Sequence, residues 1–171
     1  MNIQQGYITL RSPEFTDKHK IAEFCTKKVW DNLRDFIPQP YTLYDAEAFI
    51  RMSRGEDPVC TFAIDYKGEF VGVIGLVPQS DVYRLNAEVG YWLGEVHWGK
   101  GIISKAIPMI VNYGFSQLSI HRIYAHVFEF NKASQKALLN SGFQLDYVAQ
   151  KAIIKNGIIT DEYRYSIYKP E

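Results

Sequence analysis

The sequence predicts an α+β fold, with a mixed, mostly antiparallel twisted sheet of six to seven strands flanked by about four helices. Two hairpin signals, Lys67-Gly68 and Asn156-Gly157, each lie between β-rich runs. Between these hairpins, an apolar helix that follows Gly101 connects two strands. Such a crossover makes the two strands parallel neighbours, so the sheet is expected to be mixed.

The first half of the chain is expected to combine short strands with two helices. Thr16 or Asp17 precedes the first helical pattern and is expected to cap it, and Pro38 and Pro40 break the chain after it. The predicted elements are a strand over 7–11, a helix that includes 21–29, a helix from 42 or 44 to 54, and strands over 61–66 and 70–77.

The second half is expected to continue the sheet and to end in a hairpin. The predicted elements are a strand over 86–93, a helix opened by Gly99 and Gly101, a strand over 122–128, a helix over 131–140, and a hairpin of 148–155 with 158–168. Open sheets bind ligands at the carboxyl ends of parallel strands, which directs attention to the end of the 86–93 strand.

Composition narrows the class of protein. Hydrophobic residues make up 47% of the chain, which predicts a folded protein with one domain over residues 1–171. The formal net charge is zero, so no nucleic-acid partner is expected. No apolar run approaches the roughly 20 residues of a membrane span, so no membrane partner is expected either. Cys25 and Cys60 do not make a disulfide framework, although a single bridge stays open. We therefore expect a cytoplasmic protein, and a homodimer only from the frequency of dimers.

The segment 88–106 passes from a strand through a glycine turn into a helix. Gly99 and Gly101 flank Lys100 just before the helix. Glycines let the backbone approach a ligand, and a helix N-terminus presents unpaired N–H groups with a partial positive charge. This combination predicts a pyrophosphate site, and the alternative is a turn without a ligand. A P-loop would need Ser or Thr after Lys100, and a dinucleotide fingerprint would need a glycine at Ser104.

A second motif covers residues 131–143. Asn131 is expected to cap a helix, Ser134 lies one turn further on roughly the same face, and Gly142 follows the helix end. Taken separately, these residues are an N-cap, a spacer and a C-cap. Their spacing becomes informative only together with the glycine turn.

Together the two motifs resemble those of the GNAT N-acetyltransferase superfamily. The sequence is most similar to the RimJ/RimL-type branch, which acetylates N-terminal amines of ribosomal proteins. Residues 8–11 resemble the first strand of that branch and residues 156–165 its closing hairpin, so the resemblance covers nearly the whole chain. It implies a GNAT-type fold and acetyl-CoA as cosubstrate for acetyl transfer to a primary amine. Direct attack by the amine in a ternary complex is expected rather than a covalent intermediate, because neither Cys25 nor Cys60 falls in a motif. The acceptor would be a protein N-terminus, a polyamine or another small amine.

The resemblance also implies which residues bind acetyl-CoA. They are Trp98, Gly99, Lys100, Gly101, Ile102, Ile103, Ser104, Asn131 and Ser134. Two positions depart from the superfamily: Val96 replaces a frequent Gln or Arg, and Leu138 replaces a frequent Tyr that serves as general acid. Because a leucine cannot donate a proton, Ser134 is the candidate acid for the departing thiolate.

Glu88 is the candidate general base, because an amine must lose a proton before it attacks. In an alternating strand it shares a face with Gly90 and Trp92. An acidic residue in an otherwise apolar strand is a candidate base, since burial increases the proton affinity of a carboxylate. The alternatives are a solvated face, an ion pair with Arg84, or a chain of waters that replaces a dedicated base.

Other polar residues are weaker candidates. His97 flanks the glycine turn and is either a phosphate contact or a solvated loop residue. His121 and His126 are five residues apart and point to opposite faces if the strand continues, so no metal site is expected. Asp161 and Glu162 also face opposite ways, and one of them is a candidate contact for a cationic substrate or simply an exposed charge.

Four aromatic residues lie in the early helical region, where the branch places its acceptor groove. They are Trp30, Phe36, Tyr41 and Tyr44, and most are expected in the core. Two other function classes stay open. A non-catalytic acyl-CoA-binding or sensor domain would keep the glycine turn without needing Glu88 or Ser134, and a structural interaction module would have no CoA affinity.

Overall fold

The structure, a computed structural model, describes all 171 residues in five α-helices, eight β-strands and three short 3-10 turns. The helices are α1 (Lys18–Phe24), α2 (Lys27–Trp30), α3 (Leu43–Arg54), α4 (Ile102–Gln117) and α5 (Lys132–Asn140). The strands are β1 (Asn2–Gln5), β2 (Ile8–Arg11), β3 (Thr61–Tyr66), β4 (Glu69–Pro78), β5 (Asn86–Leu93), β6 (Arg122–Phe128), β7 (Gln144–Lys155) and β8 (Ile158–Tyr168).

The strands form a sheet in the order β1-β2-β3-β4-β5-β6-β8-β7. β5 and β6 are parallel, with register Asn86↔Arg122, Ala87↔Ile123 and Glu88↔Tyr124. The pairs β1–β2, β2–β3, β3–β4, β6–β8 and β7–β8 are antiparallel. The predicted mixed, mostly antiparallel sheet and its parallel crossover pair are therefore confirmed, and β5 and β6 begin and end at the predicted residues.

Eight strands are present because the chain forms a strand before the first predicted one. β1 pairs with β2 from Asn2↔Arg11 to Gln5↔Ile8. It lies at the edge of the sheet and contains one apolar side chain, Ile3. A strand that buries neither face has no alternating hydrophobic pattern, so composition alone does not reveal it.

The first predicted helix is two helices in the structure. Cys25 ends α1 with φ −77° and ψ 56°, outside the helical region. Thr26 then caps α2, because its Oγ1 accepts a hydrogen bond from the Val29 N–H at 3.4 Å. Threonine hydroxyls favour such caps over helix interiors. The helical spacing of the apolar residues continues through the break and conceals it.

α3 begins as predicted, after Thr42. The Thr42 N–H donates to Asp45 Oδ2 at 2.8 Å, and Thr42 Oγ1 accepts from the Asp45 N–H at 3.2 Å. This reciprocal pair is a capping box, which satisfies donors that a helix start leaves unpaired. The hydrogen bonds from Thr42 lower the pKa of the Asp45 carboxyl.

The chain divides into two compact units. Unit 1 combines Met1–Gly75 with Tyr91–Ala106. Its buried cluster joins α1, α3, β3 and β4 through Ile21, Ala46, Ile50, Ala63, Phe70 and Val73. Full burial of a side chain such as Ile50 contributes about 1.5–3 kcal/mol relative to exposure.

Unit 2 combines Leu76–Gly90 with Ile107–Glu171. Within it, α4 packs closely on β6, because a Cβ added at Gly114 would lie 2.7 Å from Leu76 Cδ1 and 3.0 Å from Ile123 Cδ1. The final hairpin turns at Asn156-Gly157 as predicted, and β7 begins four residues before the expected start. One domain over residues 1–171 stays a prediction. No helix in either unit combines the length and apolar character that crossing a membrane requires.

Candidate functional site

The glycine turn lies between β5 and α4, in unit 1. Gly99 has φ +72° and Gly101 has φ +71°, both in the left-handed region that favours glycine. A Cβ added at either position would meet no heavy atom within 4 Å. The turn therefore presents bare backbone to open space, as a close-fitting anion site requires.

The start of α4 supplies donors next to this turn. The helix has 16 residues from Ile102, and the first N–H groups of any α-helix have no partner within the helix. Ile102 is buried, whereas Ile103 and Ser104 are half-buried. Ile102 can therefore offer a ligand only its backbone, and its side chain fixes the helix start in the core.

Trp98 anchors the turn. Its Nε1 donates to the carbonyl oxygen of Leu93 at 2.9 Å, which ties the turn to the end of β5. The Lys28 ammonium lies 5.7 Å from the centre of the indole ring and also pairs with Glu95. Lys100 is exposed between the two glycines, so its charge is available at the surface.

His97, beside the turn, lies within unit 1. Its ring meets Phe24 edge-on at 5.3 Å between centroids, and its Nδ1 is buried without a hydrogen-bond partner. Burial lowers the pKa of His97, and the nearby Lys100 charge lowers it further. A histidine with a lowered pKa is neutral at pH 7, which does not favour His97 as a cationic phosphate contact.

Asn131 and Ser134 are brought together in unit 2. Asn131 caps α5, because its Oδ1 accepts from the Ser134 N–H at 3.2 Å. The Ser134 side chain is half-buried on the first turn. Leu138, one turn further along, is fully buried and has no group that could transfer a proton. The helix and its cap are as predicted.

Glu88 lies where the parallel pairing of β5 with β6 ends. The recorded register stops at Glu88↔Tyr124, although β5 continues to Leu93 and β6 to Phe128. Ala87 and Val89, on either side of Glu88, are buried, so the alternation predicted for this strand is confirmed there.

Glu88 contacts His126 and not Arg84, the partner that the sequence analysis considered. Glu88 Oε1 lies 3.2 Å from His126 Nδ1, and both side chains are about one-fifth exposed. Arg84, the expected alternative partner, donates instead to the carbonyl oxygen of Asp81. Sequence neighbours were therefore a poor guide to this contact, since His126 comes from the strand across the crossover.

Glu162 extends the same cluster. Its Oε1 lies 4.0 Å from His126 Nε2. Asp161, the residue just before Glu162, accepts a hydrogen bond from the Lys151 N–H at 2.8 Å instead. Of the two acidic residues on β8, Glu162 thus joins Glu88 and His126. The sequence placed all three titratable residues on predicted strands. It did not predict the strand register that brings their side chains together.

The aromatic residues of the early helical region divide into two kinds. Phe36 and Tyr44 are each 79% exposed, so the expectation of a core position is wrong for them. Trp30 is half-buried and donates from Nε1 to the Ile37 carbonyl oxygen at 2.7 Å. Tyr41 is also half-buried, and burial raises the pKa of its hydroxyl.

Both cysteines are free and buried, so the bridge left open by the sequence is absent. Burial raises the pKa of the Cys25 thiol to about 11, and it also raises the pKa of Cys60. The thiolate is the nucleophilic form, and a raised pKa leaves little of it at pH 7.

Comparison with known proteins gives a family match over most of the chain. The model of the family described as an acetyltransferase (GNAT) domain matches residues 8–144. Over 102 residues the chain is 41% identical to the uncharacterized N-acetyltransferase YoaA of Bacillus subtilis (strain 168), and the match covers 60% of this chain and 57% of that relative. The first curated relatives are thus matched over little more than half their length.

Two further comparisons extend over nearly the whole chain. The ribosomal-protein-serine acetyltransferase of Escherichia coli (strain K12) is 25% identical over 173 residues, which cover 92% of this chain and 95% of that protein. RimL, a ribosomal L7/L12 alpha-N-protein acetyltransferase solved in complex with coenzyme A, has a TM-score of 0.84 at 20% identity over 98% of both chains. At that identity the second comparison shows a common fold.

Proposed function

Because the chain belongs to the GNAT acetyltransferase family, we propose that it transfers an acetyl group from acetyl-CoA to a primary amine by direct attack in a ternary complex. The resemblance to this superfamily, and to its RimJ/RimL-type branch, is confirmed by the family match and by the ribosomal-protein relative. The GNAT-type fold is confirmed by the likeness to RimL.

The observation that carries the proposal is the backbone of Gly99-Lys100-Gly101 ahead of α4. Two left-handed glycines and a helix N-terminus offer N–H groups and partial positive charge to an anion. We assign the pyrophosphate of acetyl-CoA to this turn, with the backbone of residues 102–104 as further donors and Trp98 as anchor. Asn131 and Ser134 are assigned to acetyl-CoA by the family resemblance alone.

Glu88 and Ser134 are the groups that we assign to proton transfer. The acceptor ammonium gives a proton to the Glu88 carboxylate, and the nitrogen lone pair then attacks the thioester carbon. A backbone N–H of β5 polarises the carbonyl oxygen. The nitrogen of the tetrahedral adduct loses its second proton to solvent. The C–S bond then breaks, and the departing sulfur takes a proton from Ser134 Oγ, which solvent replaces. Glu88 returns its proton to solvent, so an amide and the free CoA thiol result with a net release of one proton.

The two cysteines support direct attack over a covalent intermediate. Cys25 and Cys60 are both buried, and burial raises the pKa of each thiol. A protonated, buried thiol is a poor acetyl acceptor. The amine itself is therefore the nucleophile in our account.

The acceptor class that we propose is a protein N-terminus, a polyamine or another small amine. The E. coli relative is named for a ribosomal-protein serine, which favours a protein N-terminus within this class. The exposed rings of Phe36 and Tyr44 lie in the region where the branch places its acceptor groove, and we assign them to acceptor contact. A cytoplasmic location and a homodimer stay predictions.

Release of free thiol from acetyl-CoA tests the proposal. The acceptors are peptides with free N-termini, polyamines and aminoglycosides, and the control reactions omit either amine or protein. We expect amine-dependent thiol release together with acetylation of the amine, detected by mass spectrometry. Binding of acetyl-CoA without turnover on any amine would contradict the catalytic proposal and favour an acyl-CoA-binding domain. Failure to bind acetyl-CoA would contradict the assignment of the glycine turn as well.

A further inference from the structure

Three titratable side chains from neighbouring strands meet in unit 2. Glu88 is on β5, His126 on β6 and Glu162 on β8, which are consecutive in the sheet order. His126 lies between the carboxylates, with Nδ1 3.2 Å from Glu88 Oε1 and Nε2 4.0 Å from Glu162 Oε1. The imidazole thus has a carboxylate at each of its two nitrogens.

Strand register produces this arrangement. Glu88 pairs with Tyr124 on the parallel strand, and His126 lies two residues beyond Tyr124 on the same face of β6. On the antiparallel side, His126 pairs with Arg164 and Phe128 pairs with Glu162. Glu162 is therefore a diagonal neighbour of His126, within reach of a long side chain. The backbone of three paired strands holds the cluster in place.

The cluster is half-buried, and aromatic and cationic side chains lie beside it. Glu88, His126 and Glu162 are 18%, 20% and 21% exposed, so water reaches the cluster only in part. The Tyr124 ring meets the His126 ring edge-on at 5.4 Å. Arg164, the cross-strand neighbour, has its guanidinium 4.2 Å from the centre of the Tyr124 ring and its Nε 3.9 Å from Asp146 Oδ2. Arg164, which pairs with His126 across the strands, thus has partners of its own.

We propose that His126 is a positioning residue for Glu88. The Nδ1–H donates to Glu88 Oε1 and holds the carboxylate in the orientation in which it accepts the proton of the acceptor amine. Glu162 Oε1, 4.0 Å from Nε2, is beyond hydrogen-bond distance and places a negative charge on that side of the ring. This inference rests on the proposed function, in which Glu88 is the general base.

The physical reason is the freedom of a glutamate side chain. A general base must lie within hydrogen-bond reach of the proton it takes, and a displacement of about 1 Å can reduce the rate about 10²-fold. Glu88 lies where the recorded pairing with β6 ends. A hydrogen bond to a histidine that is itself held between two strands restricts the carboxylate to one orientation.

Variants of His126 separate a positioning role from a structural one. His126→Ala removes the donor, and we expect kcat to fall about 10- to 100-fold while the KM for acetyl-CoA stays within about twofold. His126→Asn keeps an amide N–H near the position of Nδ1, and it should restore most of kcat. His121→Ala is the matched control, because His121 is exposed just before β6. Equal loss in the Ala and Asn variants, or no loss in either, would overturn the proposal.

A double-mutant cycle tests whether His126 acts through Glu88. If it does, Glu88→Gln with His126→Ala should be no slower than Glu88→Gln alone, because the second change removes support for a base that is already absent. Multiplicative losses in kcat would overturn the inference. Melting temperatures of all four proteins show whether a slow variant is simply unfolded.

The tautomer of His126 gives a readout that does not depend on turnover. In ¹⁵N NMR spectra of the whole protein, Nδ1 of His126 should carry a proton, and Glu88→Gln should shift the Nδ1 resonance while leaving that of His121 unchanged. A neutral ring protonated only at Nε2 would overturn the positioning hydrogen bond. Absence of thiol release by the wild type would instead contradict the proposed function, and the NMR result would still decide the contact.

Discussion

The glycine turn of unit 1 and the Glu88–His126–Glu162 cluster of unit 2 are built in opposite ways. The turn uses consecutive backbone groups around Gly99 and Gly101. These glycines leave the backbone accessible because they have no side chains. The cluster uses side chains from three strands, and its geometry depends on the register of β6 with both neighbours. A backbone site can be located from local sequence, whereas a cluster of side chains requires the pairing of distant segments.

This difference in construction implies a difference in function that mutations can test. In our account the turn binds acetyl-CoA, and the cluster moves a proton without contributing to that binding. Changes in the cluster should therefore alter turnover at nearly constant acetyl-CoA affinity. Changes in the turn should instead lower the affinity for acetyl-CoA.

The largest effect on turnover is expected from Glu88→Gln. This change keeps the shape of the side chain and removes its basicity, so kcat at pH 7 should fall about 10²- to 10³-fold. Amines with a pKa near 8 or 10 are mostly protonated at neutral pH, so the defect should shrink as the pH rises and the amine arrives deprotonated. The pH–rate profile and the affinity for acetyl-CoA should be measured together.

The alternative to a catalytic role is that Glu88 forms an ion pair with His126 that only stabilises the sheet. It predicts a lower melting temperature with a pH–rate profile that superimposes on the wild type after scaling. That profile would leave solvent or another residue as the base. A large loss of acetyl-CoA affinity in Glu88→Gln would contradict the claim that the cluster does not contribute to acetyl-CoA binding.

A similar or smaller effect is expected from Ser134→Ala. Ser134 lies on the first turn of α5, and Leu138 is buried and cannot act as an acid. If Ser134 protonates the departing thiolate, kcat should fall about 10²-fold, and acetyl-CoA affinity should fall much less. Ser116→Ala is a suitable control, because Ser116 is an exposed helical serine outside both motifs. An unchanged kcat would remove Ser134 from the mechanism.

The smallest effect is expected from Asn131→Ala. Loss of the Oδ1 that caps the Ser134 N–H should lower the free energy of unfolding by about 1 kcal/mol, measured by denaturant titration. Asn131→Asp keeps an oxygen at the cap and should recover most of that stability. If acetyl-CoA affinity is unchanged in Asn131→Ala, Asn131 is a helix cap only and its assignment to acetyl-CoA binding is wrong.

Hydrophobic patterns and turn dipeptides predicted the fold well in the elements that bury apolar side chains. β5 and β6 begin and end at the predicted residues, and the Asn156-Gly157 turn is where its dipeptide indicates. β1 was missed because an exposed edge strand has no hydrophobic alternation. The break at Cys25 was missed because helical spacing continues through it.

The same reasoning explains which parts of the candidate site could be predicted. The glycine turn and the Asn131 cap are local, and the structure has both as expected. Arg84, four residues away, was the alternative partner considered for Glu88, but the contact in the structure is with His126. That contact depends on the register of β5 with β6, two strands that α4 separates in the sequence, so it cannot be predicted from either strand alone.

Calorimetric titration with acetyl-CoA tests the central claim most directly, with Gly101→Asp compared against Gly68→Asp. Both glycines have positive φ, +71° and +84°, and open space where a Cβ would be, so the two variants share the same backbone strain. Only Gly101→Asp places a side chain and a negative charge in the proposed pyrophosphate site. We predict that the wild type and Gly68→Asp bind acetyl-CoA equally and that Gly101→Asp, although folded, shows no binding. A folded Gly101→Asp that binds as tightly as the wild type would contradict the account.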